Sequence, residues 1–146
     1  MGELRLPQDY EDLLVALVAA TAEFVLIGGW AVALHGHGRA TDQLDILVRP
    51  SPENARRVYA ALQEFGAPVD AHGIDADLFA TPRYGYRIGR KPVQIELLTT
   101  IDGVNFDQAR EGAIVVTVAG VSVPVMGREA LLINKRASGR LKDLAD

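Results

Sequence analysis

The sequence predicts a mixed α/β domain in which helices flank a twisted sheet. Three observations carry that expectation. Apolar runs of strand length, such as Phe24–Ile27, alternate with longer stretches whose apolar residues recur at helical spacing. A strand leads directly into a helix at Arg49-Pro50. Two pairs of strand-like runs are each joined by a short glycine-containing turn.

The chain has 146 residues, enough for one domain with a real core, and 49% of them are apolar. That share fits a folded chain rather than a disordered one. The absence of cysteine excludes disulfides and thiolate metal sites. No run approaches the roughly 20 apolar residues of a membrane span. The start, M-G-E-L-R-L-P-Q-D-Y, lacks the apolar centre of a secretory signal, so a cytoplasmic protein with no membrane association is expected. A net charge of −4 argues against a general nucleic-acid binder while leaving room for a local basic patch.

In chain order, Pro7–Ala20 reads as a helix. Leu13, Leu14, Leu17 and Val18 form its stripe, and Asp9, Glu11 and Asp12 favour its start. Phe24–Ile27 has the length of a buried strand. Gly28 and Gly29 follow at once, where they allow a sharp turn and close approach by another group. Trp30–Leu34 reads as a helix, ended by Gly36 and Gly38. A second strand runs from Gln43 to Val48. Strand alternation points Gln43, Asp45 and Leu47 the same way. Ser51, Pro52 and Gly66 punctuate a helix with Val58, Leu62 and Phe65 on its buried face.

Beyond Gly66 the pattern loosens. Ile74, Leu78 and Phe79 suggest a short helix closed by Pro82. Tyr84–Ile88 and Pro92–Leu98 read as strands joined at Gly89-Arg90-Lys91, the second carrying Glu96. Ile101–Ala109 reads as a loop with a helical turn. Ala113–Val118 and Val121–Val125 form a hairpin around Ala119-Gly120. Arg128–Ser138 is a helix, and Leu141–Asp146 begins another. No repeat or interdomain linker divides residues 1–146, which read as a single domain.

The residues with chemistry lie around the second strand. Asp45 sits between Leu44 and Ile46, and Glu96 between Ile95 and Leu97. A carboxylate inside an apolar strand is costly unless it meets a partner or a metal. Asp45 reads as a metal ligand or an ion pair at a strand end, and Glu96 likewise. Gly28 and Gly29 read as a tight turn or a phosphate contact. Arg39 and Thr41 either contact phosphate or finish the loop. His35 and His37, two apart, do not share a helical face and read as loop histidines rather than zinc ligands. Arg83, Arg87, Arg90 and Lys91 form a basic cluster that suits a polyanion or protects a sheet edge. No phosphate-binding G-x-x-x-x-G-K-[ST] loop, dinucleotide G-x-G-x-x-G or nucleophile G-x-S-x-G is present.

Three segments carry a family resemblance: V-L-I-G-G-W-A-V-A-L-H-G-H-G-R-A-T-D-Q-L-D-I-L-V, V-Q-I-E-L-L-T-T-I-D-G-V-N-F and L-L-I-N-K-R-A-S-G-R-L-K-D-L-A-D. With them the chain resembles the nucleotidyltransferase fold of the DNA polymerase β-like superfamily, and among its members the bacterial minimal nucleotidyltransferase type. The resemblance implies that Gly28 and Gly29 approach the triphosphate of an NTP, ATP being the expected substrate. It implies that strand acids hold Mg²⁺ or Mn²⁺, which prefer oxygen ligands. The second acid of that pattern falls on Asp45 and the third on Glu96, whereas the first position holds Gln43. The amide brings no charge, so Gln43 is expected to be a weak, neutral ligand that impairs phosphoryl transfer. Asp42 replaces it only if the strand starts late or bulges. Lys135, in the K-R-A-x-G-R-x-K-D segment with Arg140, Lys142 and Asp143, either reaches the nucleotide or an acid of the site, or lies on a solvated helix face.

The activity so implied is Mg²⁺-dependent transfer of a nucleoside monophosphate from NTP to an acceptor, which the sequence leaves open among tRNA, a protein and a small molecule. Gln43 raises the alternative of a catalytically degenerate nucleotide-binding or protein-interaction module, such as the partner of a toxin-like protein. A homo-oligomer paired through strand edges is a third possibility.

Overall fold

The computed structural model describes residues 4–36 and 41–139. Its elements, in order, are α1 (Gln8–Ala19), β1 (Phe24–Ile27), α2 (Gly28–Leu34), β2 (Gln43–Val48), α3 (Pro52–Phe65), a 3₁₀ turn (Ala76–Ala80), β3 (Gly85–Arg90), β4 (Val93–Leu98), α4 (Phe106–Glu111), β5 (Ile114–Val118), β6 (Val121–Val125) and α5 (Arg128–Ala137). The strands form one sheet in the order β3-β4-β2-β1-β6-β5. It is mixed: β2 lies parallel to β4 and β1 parallel to β6, while β1–β2, β3–β4 and β5–β6 are antiparallel.

Local chemistry accounts for the element ends. Ser51 Oγ accepts the Asn54 N–H (3.2 Å) at the start of α3, and Gly66 closes that helix at φ 94°. The α1 stripe buries Leu13, Leu14 and Leu17 completely. Asn54 is itself buried, because its side chain bonds the backbone N–H and C=O of Glu23 and the C=O of Arg49. It ties α3 to the ends of β1 and β2.

Beyond shifts of one residue at element ends, the structure differs from the sequence reading at four places. Helix α2 begins at Gly28, so the glycine pair forms its first turn rather than preceding it. The 3₁₀ turn leaves Ile74 outside. Strand β3 continues through Arg90, which pairs with Val93, and the turn falls on the cis Lys91-Pro92 bond. Gly89 makes this register accessible at φ 78°, and Pro92, with no N–H to give a ladder, belongs in the turn. Residues 106–111 form a complete short helix. There Asn105 and Gln108 bond each other's backbone N–H reciprocally at 2.8 Å, a capping box that specifies the start. The expected helix at Leu141–Asp146 lies outside the described residues.

Strand alternation sorts the core into two clusters. Phe24, Leu26, Leu44, Ile46, Val48, Ile95 and Leu97 join Leu13, Leu14 and Leu17 of α1 and Val58 and Leu62 of α3 on one face. On the other, Val25, Ile27 and Leu47 pack with Phe106 and Ala109 of α4, Met126, and Ala130 of α5. This second cover stops short of the β3–β4 side of the sheet. Gln43, Asp45, Gln94, Glu96 and Arg87 share that face by register and are not fully buried. The polar residues therefore occupy the half of one sheet face that no helix among the described residues covers.

Candidate active site

Ile27 pairs with Asp45 across the antiparallel β1–β2 ladder, so the residue after β1 meets the Asp45 side chain. That residue is Gly28, at φ 69°. A Cβ there would stand 3.1 Å from Asp45 Cγ and overlap Oδ2. Glycine is needed both for the left-handed backbone and for the carboxylate to lie against it. A Cβ on Gly29 would overlap the Thr41 methyl. Thr41 cannot simply turn aside, because its hydroxyl donates to Gln43 C=O (2.6 Å) and accepts Gln43 N–H (3.3 Å). Its local role is to set the start of β2.

The parallel β2–β4 register places Asp45 opposite Glu96. Gln43 stands two residues before Asp45 on the same face, and its Nε2 donates to both Asp45 Oδ1 and Glu96 Oε1, the latter at 3.3 Å. On the next strand Arg87 lies opposite Glu96 and donates from Nη2 to Oε2 at 3.1 Å. Burial pushes the Asp45 carboxyl above its ordinary value and the Glu96 charge adds to the rise, whereas the Gln43 bond and the Arg87 charge oppose it. Ionised carboxylates only accept hydrogen bonds, so the amide turns its nitrogen toward them. Gln43, expected as an oxygen ligand, instead stands as a donor to both acids. Asp42 does not take its place: β2 begins at Gln43 with an unbroken register, and Asp42 is exposed, its carbonyl accepting from Tyr10 Oη and Gln94 N–H.

Behind the glycine corner lies a cavity of about 530 Å³. Gly28 and Gly29 form one side and α5 the other, through Arg128, Leu131, Leu132 and Lys135. Arg128 and Lys135 are two helical turns apart and share a face. The expected group of Gly28, Gly29 and Lys135 is thus brought together. Arg128 was not foreseen, although the spacing of Arg128, Leu131 and Lys135 is a helical stripe. The acids do not line this cavity; Gly28 borders it and also abuts Asp45. His35 caps α2 and donates from Nε2 to Met126 C=O at 2.9 Å, joining α2 to the end of β6. Arg39, His37, Arg140, Lys142 and Asp143 lie outside the described residues.

Asp45 and Glu96, side by side on one sheet face, are the residues that could hold a hard divalent cation such as Mg²⁺ or Mn²⁺. Such ions take one or two carboxylates and fill the remaining positions with water and phosphate oxygens. Among the described residues, no three His, Cys, Asp or Glu side chains gather as a cation site. No helix among them is long and apolar enough to cross a membrane.

The profile of a family described as "Nucleotidyl transferase of unknown function (DUF2204)" matches residues 7–145. No curated protein matches the chain. Among solved structures, a candidate nucleotidyltransferase from Thermotoga maritima superposes with a TM-score of 0.64 at 16% identity, covering 94% of this chain and 87% of that one. At that identity the likeness shows the fold: a nucleotidyltransferase fold.

Proposed function

This chain belongs to the family of nucleotidyl transferases of unknown function, and from that premise we propose that it transfers a nucleoside monophosphate from an NTP, ATP first among them, to an acceptor hydroxyl with the help of Mg²⁺ or Mn²⁺. The observation that carries this reading is the pairing of Asp45 with Glu96 across β2 and β4, with the Asp45 carboxylate against Gly28, a residue that also lines the cavity. In this reading Asp45 and Glu96 hold the cation. When bound, it offsets the negative charge that phosphoryl transfer concentrates on the phosphate oxygens. Arg128 and Lys135 attract the phosphate chain, and Leu131 and Leu132 offer an apolar wall to the rest of the nucleotide. Gly28 and Gly29 present their backbone to the nucleotide in the cavity, while Asp45 and Thr41 fill the space that a side chain on either glycine would take. The acceptor oxygen bonds to the α-phosphorus, the bond to pyrophosphate breaks, and the acceptor's proton leaves to water. The acceptor is tRNA, a protein hydroxyl or a small molecule.

Incubation with each labelled NTP, Mg²⁺ or Mn²⁺ and cell extract tests the proposal. Label is expected on an acceptor. Its absence, with Gln43→Asp as well as with the natural chain, overturns the reading.

One observation favours a second reading. Gln43 satisfies both carboxylates with an amide, so the pair has a hydrogen-bond donor without any cation. That suits a degenerate nucleotide-binding or protein-interaction module. Calorimetric titration with ATP separates the cases: binding without turnover supports a nucleotide-binding module, and no binding supports an interaction role.

A further inference from the structure

Gln43 is where the chain departs from a three-acid site, and its side chain has a defined task. The amide nitrogen carries two hydrogens, directed to Asp45 Oδ1 and to Glu96 Oε1. Arg87 Nη2 meets Glu96 Oε2. Among the described residues, the one oxygen of the two carboxylates without a donor is Asp45 Oδ2, and this is the atom packed beside Gly28. An amide N–H₂ carries positive partial charge. It attracts the carboxylates and repels a cation from the space it fills.

We infer that Gln43 makes this a single-cation site. The amide and Arg87 perform the charge-balancing that a second ion supplies in a two-ion phosphoryl-transfer centre. One divalent cation binds at Asp45 Oδ2, the oxygen left without a donor, within the field of the neighbouring Glu96 charge, and the amide remains between the two carboxylates. The charges agree. Two carboxylates and one guanidinium leave one net negative charge. A single divalent ion turns that into one net positive charge, which suits an incoming phosphate chain. Two ions leave three positive charges packed into a partly desolvated site, which is unfavourable. The inference rests on the proposed nucleotidyl transfer, since that reading calls for the cation.

The test is titration of the whole chain with Mn²⁺ alone, the free ion being counted by electron paramagnetic resonance. One ion per chain is expected, lost in Asp45→Asn and in Glu96→Gln. Gln43→Asp, which replaces the donor with a third acid, is expected to take two. A thermal melt in the presence of Mn²⁺ establishes that this variant is folded; if it is not, the natural chain and the two acid variants decide. Two ions on the natural chain, or none, overturn the inference, as does a folded Gln43→Asp that still takes one. The outcome is separable from the functional reading. One ion with no label transfer leaves the inference standing and removes the reading, whereas transfer with two ions does the reverse.

Discussion

The two adjacent glycines at the entry to α2 are predicted to fail for different reasons when replaced by alanine, and one failure is repairable. At Gly29 the added methyl overlaps Thr41 Cγ2. Thr41 is pinned by its two hydrogen bonds to the Gln43 backbone, so the clash is not relieved by free rotation. Overpacking of this kind costs about 1–3 kcal/mol, and the helix preference of alanine over glycine offsets up to about 1 kcal/mol. Gly29→Ala should therefore lose roughly 0–3 kcal/mol. Thr41→Ser removes Cγ2 and keeps the hydroxyl, so Gly29→Ala/Thr41→Ser should recover most of that loss, with a coupling of about 1–3 kcal/mol.

Gly28→Ala meets two other obstacles. Its left-handed φ of 69° costs an L residue about 1–2 kcal/mol. Its methyl overlaps an Asp45 carboxylate held by Gln43, which adds about 1–3 kcal/mol. A total of about 2–5 kcal/mol corresponds to a fall in Tm of roughly 5–20 °C for a chain of this size. Thr41→Ser should not repair it. Urea and thermal denaturation of the three alanine-containing variants and of Thr41→Ser alone supply the comparison. The account of the corner is refuted if the serine rescues Gly28→Ala as well as Gly29→Ala, or rescues neither.

Three further outcomes follow from the same contacts. Asp45→Asn is expected to stabilise the cation-free protein near neutral pH while abolishing nucleotide transfer; because the folded-state pKa of Asp45 is raised, the stability linked to its proton is present below the unfolded value and is lost as pH rises through the folded one. The difference in ΔG between natural chain and variant should widen as pH climbs from acid to neutral, and denaturant melts at a series of pH values check the sign. Asn54→Ala leaves the Glu23 N–H without its acceptor, while the Glu23 and Arg49 carbonyls keep the N–H groups of Arg49 and Ser51, and should cost about 1–3 kcal/mol in urea denaturation while leaving Mn²⁺ binding unchanged. Lys135→Met and Arg128→Met should each weaken ATP binding with little change in stability, and the loss should shrink as salt rises, which calorimetry at two ionic strengths reads directly.

The parts of the fold legible in the sequence were those where two independent signals coincide. Strand β1 combines an apolar run with the glycines that end it, and α3 combines an apolar stripe with Ser51, Pro52 and Gly66. The β3–β4 turn was misplaced because Gly89 looks like a turn residue, while the cross-strand pairing of Arg90 with Val93 depends on where Pro92 stands. Helix α4 was readable from Asn105 and Gln108, but its short apolar face made the cap easy to overlook. At the candidate site, alternation along β2 placed Gln43 and Asp45 on one side. That Glu96 stands opposite Asp45, and Arg87 opposite Glu96, depends on register between distant segments, to which spacing along one chain is blind. The direction of the Gln43 amide follows from those partners, and so became visible only with them.

The uneven roofing of the sheet separates two jobs that compete in most compact proteins. Under α4 and α5 every exchange of a side chain disturbs a neighbour's volume. On the half that no described helix covers, Gln43, Asp45, Glu96 and Arg87 answer to one another's charge and hydrogen bonding, not to the space left by a packed helix. Chemistry can therefore be rewritten on that half while the scaffold stays as it is. One architecture can in this way carry an ion-loaded centre or one balanced by an amide, at little structural risk to the other half.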